Sequence, residues 1–232
     1  MSIEFYIASL PVFLIGLYIY KKDTEKEPLK LLAKLLGCGA AAAVCTLIFS
    51  VILSGFIPFL EVTDINTLSV FERIIYIFVG IALIEEGFKY LFLYKHGYNN
   101  KEFDSSFDMI VYATFVSLGF ALFENLLYVY EGGVGLGIFR AVTSIPLHAT
   151  CGIFMGAFLS VAKHCEINKL PGAFKNKFLA LLTPILIHGI YDYLVMQGST
   201  KAVIAFIVFI ICVDIITIKL VNQKSREDKK FI

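Results

Sequence analysis

The stretch IALIEEGFKYLFL (Ile81–Leu93) places three ionisable residues in the middle of an apolar run: Glu85, Glu86 and Lys89. A charged side chain near the centre of a membrane-spanning helix costs about 2.5–3.5 kcal/mol on insertion scales. Three such groups this close together would cancel much of the apolar gain of one helix. If the run crosses a membrane, we therefore expect these side chains to face a protein-lined, hydrated interior.

The composition of the whole chain is that of a membrane protein. Of 232 residues, 58% are hydrophobic and only 17% are charged, whereas about 25% are charged in a typical soluble domain. The net charge of +1 gives no reason to expect nucleic acid as a partner. The five cysteines show no CxxC spacing, so the sequence predicts neither a zinc finger nor a disulfide framework. We expect an all-α, polytopic protein whose surroundings are the lipid bilayer.

Seven stretches are apolar and about long enough to cross a bilayer as helices. They lie at 3–20, 31–57, 71–94, 107–129, 137–162, 178–197 and 200–221. The sequence therefore predicts a bundle of about seven transmembrane helices. We expect a single membrane-embedded domain over 1–232, with its functional core at about 71–197.

The lysines between these stretches alternate along the chain. Lysines follow the first, third, fifth and last stretches, whereas residues 58–70 and the turn EGGVGLG (131–137) contain neither Lys nor Arg. Positively charged loops stay preferentially in the cytoplasm. The pattern therefore predicts an N-terminus outside the cell and a C-terminus in the cytoplasm.

Further polar side chains fall inside the later stretches. His148 lies near the midpoint of the fifth and His188 near that of the sixth, with Asp192 one helical turn outward of His188. Glu124 lies in the outer half of the fourth stretch, where it can pair with Arg140. Ionisable residues at such depths usually face the interior of a bundle.

Small residues recur on the helices that carry these polar groups. Intervals of four relate Ser144, His148, Gly152, Gly156 and Ser160 on one helix, and Ala113, Ser117 and Ala121 on another. Small residues at this spacing let helices pack closely in membranes. We therefore expect the third to sixth stretches to meet, with their polar side chains in a shared interior.

The charged cluster of the opening stretch contains two possible ion pairs. Lys89 can reach Glu85 at a spacing of four residues and Glu86 at a spacing of three. Neighbouring helical residues point about 100° apart, so the two glutamates cannot serve the same atom equally. We expect one carboxylate to do chemistry and the other to be structural, and the sequence does not say which.

This set of residues can do three kinds of work. A glutamate can deprotonate a water for attack on a carbonyl, while imidazoles stabilise the oxyanion. Alternatively, Glu85, His148 and His188 can hold a zinc ion with an open coordination position, although the usual HExxH pair is absent. Glu and His chains also relay protons in proton-coupled carriers and channels.

Four motifs, in order over about residues 80–195, resemble the PrsW family, which is similar to the CAAX prenyl endopeptidases and the bacterial Abi immunity proteins. They are EEGFK (Glu85–Lys89), FEN (Phe123–Asn125), RAVTSIPLHA (Arg140–Ala149) and HGIYD (His188–Asp192). The resemblance implies a bacterial cell-membrane hydrolase: an intramembrane protease that cuts a single-pass membrane anti-sigma factor. That cut would start regulated intramembrane proteolysis and so activate a sigma factor in a stress response.

The resemblance also implies roles for individual residues. Glu85 would be the general base, His148 and His188 would assist the water or the oxyanion, and Asp192 would support the site. Glu86 and Lys89 would complete the charged cluster, with Glu124, Asn125 and Arg140 as supporting residues. Relatives in the wider group favour a glutamate mechanism with no cofactor, while some descriptions of the family imply a metalloprotease with zinc.

Overall fold

The protein, described by a computed structural model over residues 3–57 and 65–231, is built almost entirely of helices. The α-helices are α1 (Ile3–Lys22), α2 (Leu29–Phe56), α3 (Val70–Ile75), α4 (Leu83–Leu93), α5 (Asp108–Val142), α6 (Ser144–Ile167), α7 (Ala173–Met196) and α8 (Thr200–Arg226). The described residues form no β-strand beyond an isolated bridge between Ser105 and Lys230. The predicted all-helical class is confirmed.

The third predicted span is not a uniform α-helix. It begins at α3 with a capping box, in which the Ser69 hydroxyl accepts from the Glu72 amide and the Glu72 carboxylate accepts from the Ser69 amide. A π-helix at Tyr76–Ala82, hereafter the π-segment, then leads into α4. In its last turn the Leu83 amide donates a hydrogen bond to the Phe78 carbonyl. π-helical turns often occur at functional sites. Here the wider turn directly precedes the charged cluster.

Five helical stretches among the described residues are long and apolar enough to cross a membrane. One of them, Asp108–Ile167, contains both α5 and α6, which pack against each other. The stretch from α3 to α4 is not among the five because the π-segment divides it into short α-helices. A helical bundle able to cross the bilayer several times is thus confirmed, and the number seven stays a prediction.

The predicted turn within EGGVGLG is located at Gly133. This residue has φ of 77°, a left-handed conformation that glycine adopts without strain. The chain folds back there, since Arg140 returns beside Glu124. Helical turns continue on both sides of the reversal, which the glycine-rich composition did not indicate.

Small residues allow α5 to occupy the centre of the bundle. A Cβ atom at Gly152 of α6 would lie 2.7 Å from the Ala113 carbonyl oxygen of α5. Gly39 of α2 and Gly119 of α5 also leave no room for a side chain, because each faces the backbone of the other helix. The predicted small-residue face of α6 thus lies in a helix interface, and His148 lies one turn from Gly152 on that face.

The lysine-containing segments meet at one end of the bundle. Lys230 of the C-terminal tail pairs with Glu25 between α1 and α2, at 2.9 Å. Lys177 at the start of α7 pairs with Glu166 at the end of α6, at 2.6 Å, and Lys163 donates to the Tyr98 carbonyl. The alternating charge of the sequence therefore corresponds to one basic end.

Candidate active site

Helix α4 supplies a wholly buried ion pair. Lys89 Nζ donates to Glu86 Oε1 at 2.7 Å, and neither side chain has any exposed surface. Glu85 Oε2 lies 3.7 Å from the same ammonium, too far for a hydrogen bond. Lys89 Nζ also lies 4.0 Å from the centroid of the Phe120 ring, over its face. Lys89 is therefore held mainly by Glu86.

Helix α6 places His148 against this ion pair. Lys89 Nζ lies 2.9 Å from His148 Nδ1, and His148 Nε2 lies 2.8 Å from Glu124 Oε2. An ammonium can only donate hydrogen bonds, so His148 Nδ1 accepts and neutral His148 carries its proton on Nε2. That proton is donated to Glu124. Both ring nitrogens of His148 are thus used within the cluster.

Arg140 binds the same oxygen of Glu124 as His148 does. Its Nη2 lies 2.6 Å from Glu124 Oε2. The ion pair between Glu124 and Arg140 that the sequence allowed is therefore present. The Arg140 guanidinium lies 3.8 Å from the centroid of the Tyr128 ring, a cation–π arrangement. Tyr128, Arg140, Glu124, His148 and Lys89 therefore form one continuous chain of contacts.

Helix α7 contributes His188, which contacts Glu86 of the ion pair. His188 Nδ1 lies 2.9 Å from Glu86 Oε1, and the rings of His188 and His148 are 5.2 Å apart at 89°. His188 Nε2 lies 3.4 Å from Asp192 Oδ2 and 3.9 Å from Glu85 Oε2. Both distances exceed a direct hydrogen bond. Neutral His188 therefore donates from Nδ1 to Glu86 and leaves Nε2 open between Glu85 and Asp192.

The two neighbouring glutamates have different surroundings. Glu86 is wholly buried between Lys89 and His188. The Oε2 atoms of both glutamates have no hydrogen-bond partner among the described residues, but only Glu85 lines a cavity, of about 390 Å³, between α2, the π-segment and α5. The structure thus separates a carboxylate fixed in the interior from one that borders a cavity.

Of the predicted site residues, Asn125 alone has no described contact with the cluster. Its side chain is fully buried, and neither its amide nitrogen nor its oxygen has a hydrogen-bond partner in the described part of the chain. Phe120 and Tyr128, which hold the two cations, were not predicted as site residues. Phe120 is one of 22 phenylalanines, and nothing in the sequence distinguishes it.

The residues fit a divalent metal ion in ligand type and charge. One donor atom each from Glu85, His148 and His188 lies within 4.8 Å of the other two, and two His with one Glu is a known catalytic zinc set. Four carboxylates here meet only two permanent cations: Glu85, Glu86, Glu124 and Asp192 against Lys89 and Arg140. However, Lys89 occupies His148 Nδ1, so His148 could bind a metal through that atom only if the ammonium moved.

Comparison with known proteins identifies the family. Residues 27–216 match the model of the family described as "PrsW family intramembrane metalloprotease". Protease PrsW of Oceanobacillus iheyensis is 35% identical over 90% of this chain and 91% of the relative. Protease PrsW of Clostridioides difficile is 33% identical over 99% of this chain and 95% of the relative.

No solved structure matches the chain. The family match and the apolar helices together make this a multi-pass bacterial membrane protein. Because the family model covers most of the chain and the relatives align along nearly their whole length, the chain belongs to the PrsW family of intramembrane proteases.

Proposed function

We propose that this protease cuts single-pass membrane anti-sigma factors with a water that Glu85 activates. The observation that carries the proposal is that Glu85, whose Oε2 has no hydrogen-bond partner among the described residues, lines the cavity between α2, the π-segment and α5, whereas Glu86 does not. A general base needs an unoccupied acceptor atom near the position of the reacting water. Glu86 is unsuited to that role because Lys89 and His188 both bond its Oε1, and its side chain has no exposed surface and does not line the cavity.

The gap between Glu85 Oε2 and His188 Nε2 is the proposed position of the water. The two atoms are 3.9 Å apart, a separation that one water can bridge. Glu85 takes a proton from that water as its oxygen attacks the carbonyl carbon of the scissile peptide bond. Glu85 then gives the proton to the leaving nitrogen, so that the C–N bond breaks and an amine and a carboxylic acid are released.

His188 is the proposed stabiliser of the tetrahedral oxyanion. Its Nδ1–H donates to Glu86, and in the imidazolium form, with a second proton on Nε2, the ring can also donate to an oxyanion in the gap. Asp192 lies 3.4 Å from the same nitrogen and orients the ring. His148, with both nitrogens hydrogen-bonded, is a positioning residue that links Glu124 to Lys89.

The side of cleavage follows from the proposed topology of seven spans with the N-terminus outside. If the basic end of the bundle faces the cytoplasm, the cavity opens toward the outer half of the membrane. Its lining extends from Glu85 along α2 to Ser50 and along α5 to Glu131, away from the basic end. The proposal therefore places the cut on the outer side of the substrate span.

A zinc-dependent version of the same reaction is the second candidate. It is favoured by the convergence of Glu85, His148 and His188 and by the excess of carboxylates. In that version these residues would hold the ion, and zinc would supply a Lewis acid that makes bound water more acidic. The family assignment leaves no support for the alternative of a proton-coupled carrier.

The experiment that tests the substrate class uses doubly tagged reporters. Each reporter is a single-pass anti-sigma factor of the source bacterium with one tag on either side of its span, incorporated into liposomes with the purified protease. We expect one reporter to be cut, with the new terminus in the outer half of its span. Cleavage of an unrelated single-pass protein but of no anti-sigma factor would contradict the proposed substrate, and a cut at the cytoplasmic side would contradict the topology.

A further inference from the structure

The cavity beside Glu85 has about the volume of one helical turn. Its volume is about 390 Å³, near the lower end of the range for small-ligand pockets, about 300–1,000 Å³. A helix about 10 Å across would fill it within a single turn. A short, extended stretch of polypeptide fits this space better.

An extended stretch inside a membrane requires hydrogen-bonding partners. Its peptide N–H and C=O groups are no longer satisfied by a helix, and lipid cannot satisfy them. Two hydroxyl residues, Thr46 and Ser50, line the cavity from α2, four residues apart and so on one face of that helix. Each hydroxyl can both donate and accept.

Thr46 has an unused hydroxyl. Thr46 is buried, yet its Oγ1 has no hydrogen-bond partner among the described residues. By contrast, Thr114 on α5 donates to the Ile110 carbonyl four residues earlier, as helical threonines commonly do. Because Thr46 gives up no hydrogen bond, rotation of its side chain toward the cavity costs little.

The cavity also has an apolar wall that reaches the lipid-facing surface of the bundle. Phe123 and Leu127 of α5 line the cavity opposite Leu47 of α2. Leu47 is 47% exposed, so this wall is continuous with the lipid-facing surface of α2. A polypeptide can therefore reach Glu85 sideways from the bilayer, between α2 and the π-segment.

We propose that this cavity is the substrate subsite, which takes a locally unwound stretch of a membrane-spanning polypeptide. An apolar side chain of the substrate rests against Leu47, Phe123 and Leu127, and the Thr46 hydroxyl bonds a peptide group next to the scissile bond. The inference rests on the proposed function, because it places the substrate relative to Glu85. It adds a binding site on α2, outside the four motifs of the sequence.

Photo-cross-linking separates this inference from the chemistry. In a Glu85→Gln background, where turnover is not needed, a benzophenone amino acid at position 47 is expected to label the doubly tagged reporter. The control is the same group at Phe13, in a groove of similar size, about 410 Å³, between α1, α2 and α5. Labelling from Phe13 but not from position 47 would overturn the subsite. Labelling from position 47 with no cleavage by the wild-type protein would contradict the proposed chemistry and leave the subsite standing.

Kinetics test the role of the Thr46 hydroxyl. We expect Thr46→Val to raise KM about three- to tenfold, the effect of one lost hydrogen bond, with kcat within about twofold. Thr46→Ser should restore the wild-type KM. Thr150→Val is the matched control, because Thr150 is a buried threonine that bonds Thr217 outside the cavity. An unchanged KM in Thr46→Val, or an equal rise in Thr150→Val, would overturn the role of the hydroxyl.

Discussion

Lys89 Nζ and Glu86 Oε1 lie 2.7 Å apart with no exposed surface on either side chain. This ion pair connects α4 to α6 through His148 and to α7 through His188. Helix α5 joins the same network, because Glu124 contacts His148. One buried ammonium therefore links side chains from four helices. The cost of placing it in the membrane interior is offset by the hydrogen bonds that it makes.

The ion pair predicts a large effect of Lys89→Met on stability. Removing one partner of a buried pair leaves an uncompensated charge and costs about 3–5 kcal/mol. We expect a strongly lowered Tm in detergent, or little folded protein. Lys34→Met is the matched control, since Lys34 lies on exposed surface of α2. Equal Tm values for Lys89→Met and the wild type would contradict the structural role of the pair.

Arg140 is expected to act on the rate through Glu124 and His148. In Arg140→Gln the cation that holds Glu124 at 2.6 Å is lost, so Glu124 and the ring of His148 can shift. Misplacement of groups around the reacting atoms lowers rates by about 10- to 100-fold. We expect that loss in kcat with a small change in KM, measured on the doubly tagged reporter. Arg226→Gln, at the exposed end of α8, should leave both constants unchanged.

Metal dependence separates the two candidate mechanisms. We expect a chelator to change the cleavage rate by less than about twofold, because Lys89 occupies His148 Nδ1 and a general base alone supplies about 10²–10⁴-fold. Elemental analysis of the purified protein should accompany the assay. One zinc per chain, lost together with activity and restored with it, would establish the zinc-dependent version instead.

The acidic residues at the basic end predict how stability depends on pH. Burial raises the pKa of Asp23 to about 6. Burial also raises the pKa of Glu27, whose carboxylate accepts from the Tyr112 hydroxyl at 2.7 Å. In the unfolded chain both groups ionise near pH 4. The stability tied to their protons is therefore fully present below about pH 4 and is lost as the pH rises through about 6 and beyond.

We accordingly expect the Tm in detergent to fall between pH 4.5 and 7.5. A loss of about 1 kcal/mol corresponds to about 2–4 °C in a chain of this size. The double variant Asp23→Asn, Glu27→Gln should show a much smaller fall. If its Tm fell as steeply as that of the wild type, other groups would be responsible for the pH dependence.

Much of the fold could be predicted because segments that cross a lipid bilayer must be long, apolar helices. The apolar stretch predicted at 178–197 corresponds to α7, Ala173–Met196, and the one at 31–57 to α2, Leu29–Phe56. The π-segment could not be predicted, since YIFVGIA fits an α-helix equally well in sequence. Its wider turns depend on neighbours such as Gly189 of α7, which leaves room for the Phe78 ring.

Most of the ionisable residues that cluster could be predicted from the sequence, but the contacts between them could not. Buried Glu, His and Lys residues are costly in a membrane, so their presence alone marks them. Their partners depend on which helices are adjacent: His188 reaches Glu86 across 102 positions and Lys89 reaches His148 across 59. The spacing of Glu85, Glu86 and Lys89 allowed either glutamate to pair with the lysine, and the packing of α4 against α6 and α7 selects Glu86.

The most direct test of the central claim compares the two glutamates in single-turnover cleavage of the doubly tagged reporter. We expect Glu85→Gln to keep the Tm of the wild type and to lose activity by at least about 100-fold. We expect Glu86→Gln to lose Tm by roughly the amount of a broken buried pair. Glu25→Gln, on exposed surface, serves as the control for the substitution itself. Cleavage by Glu85→Gln at the wild-type rate would contradict the assignment of Glu85 as the base.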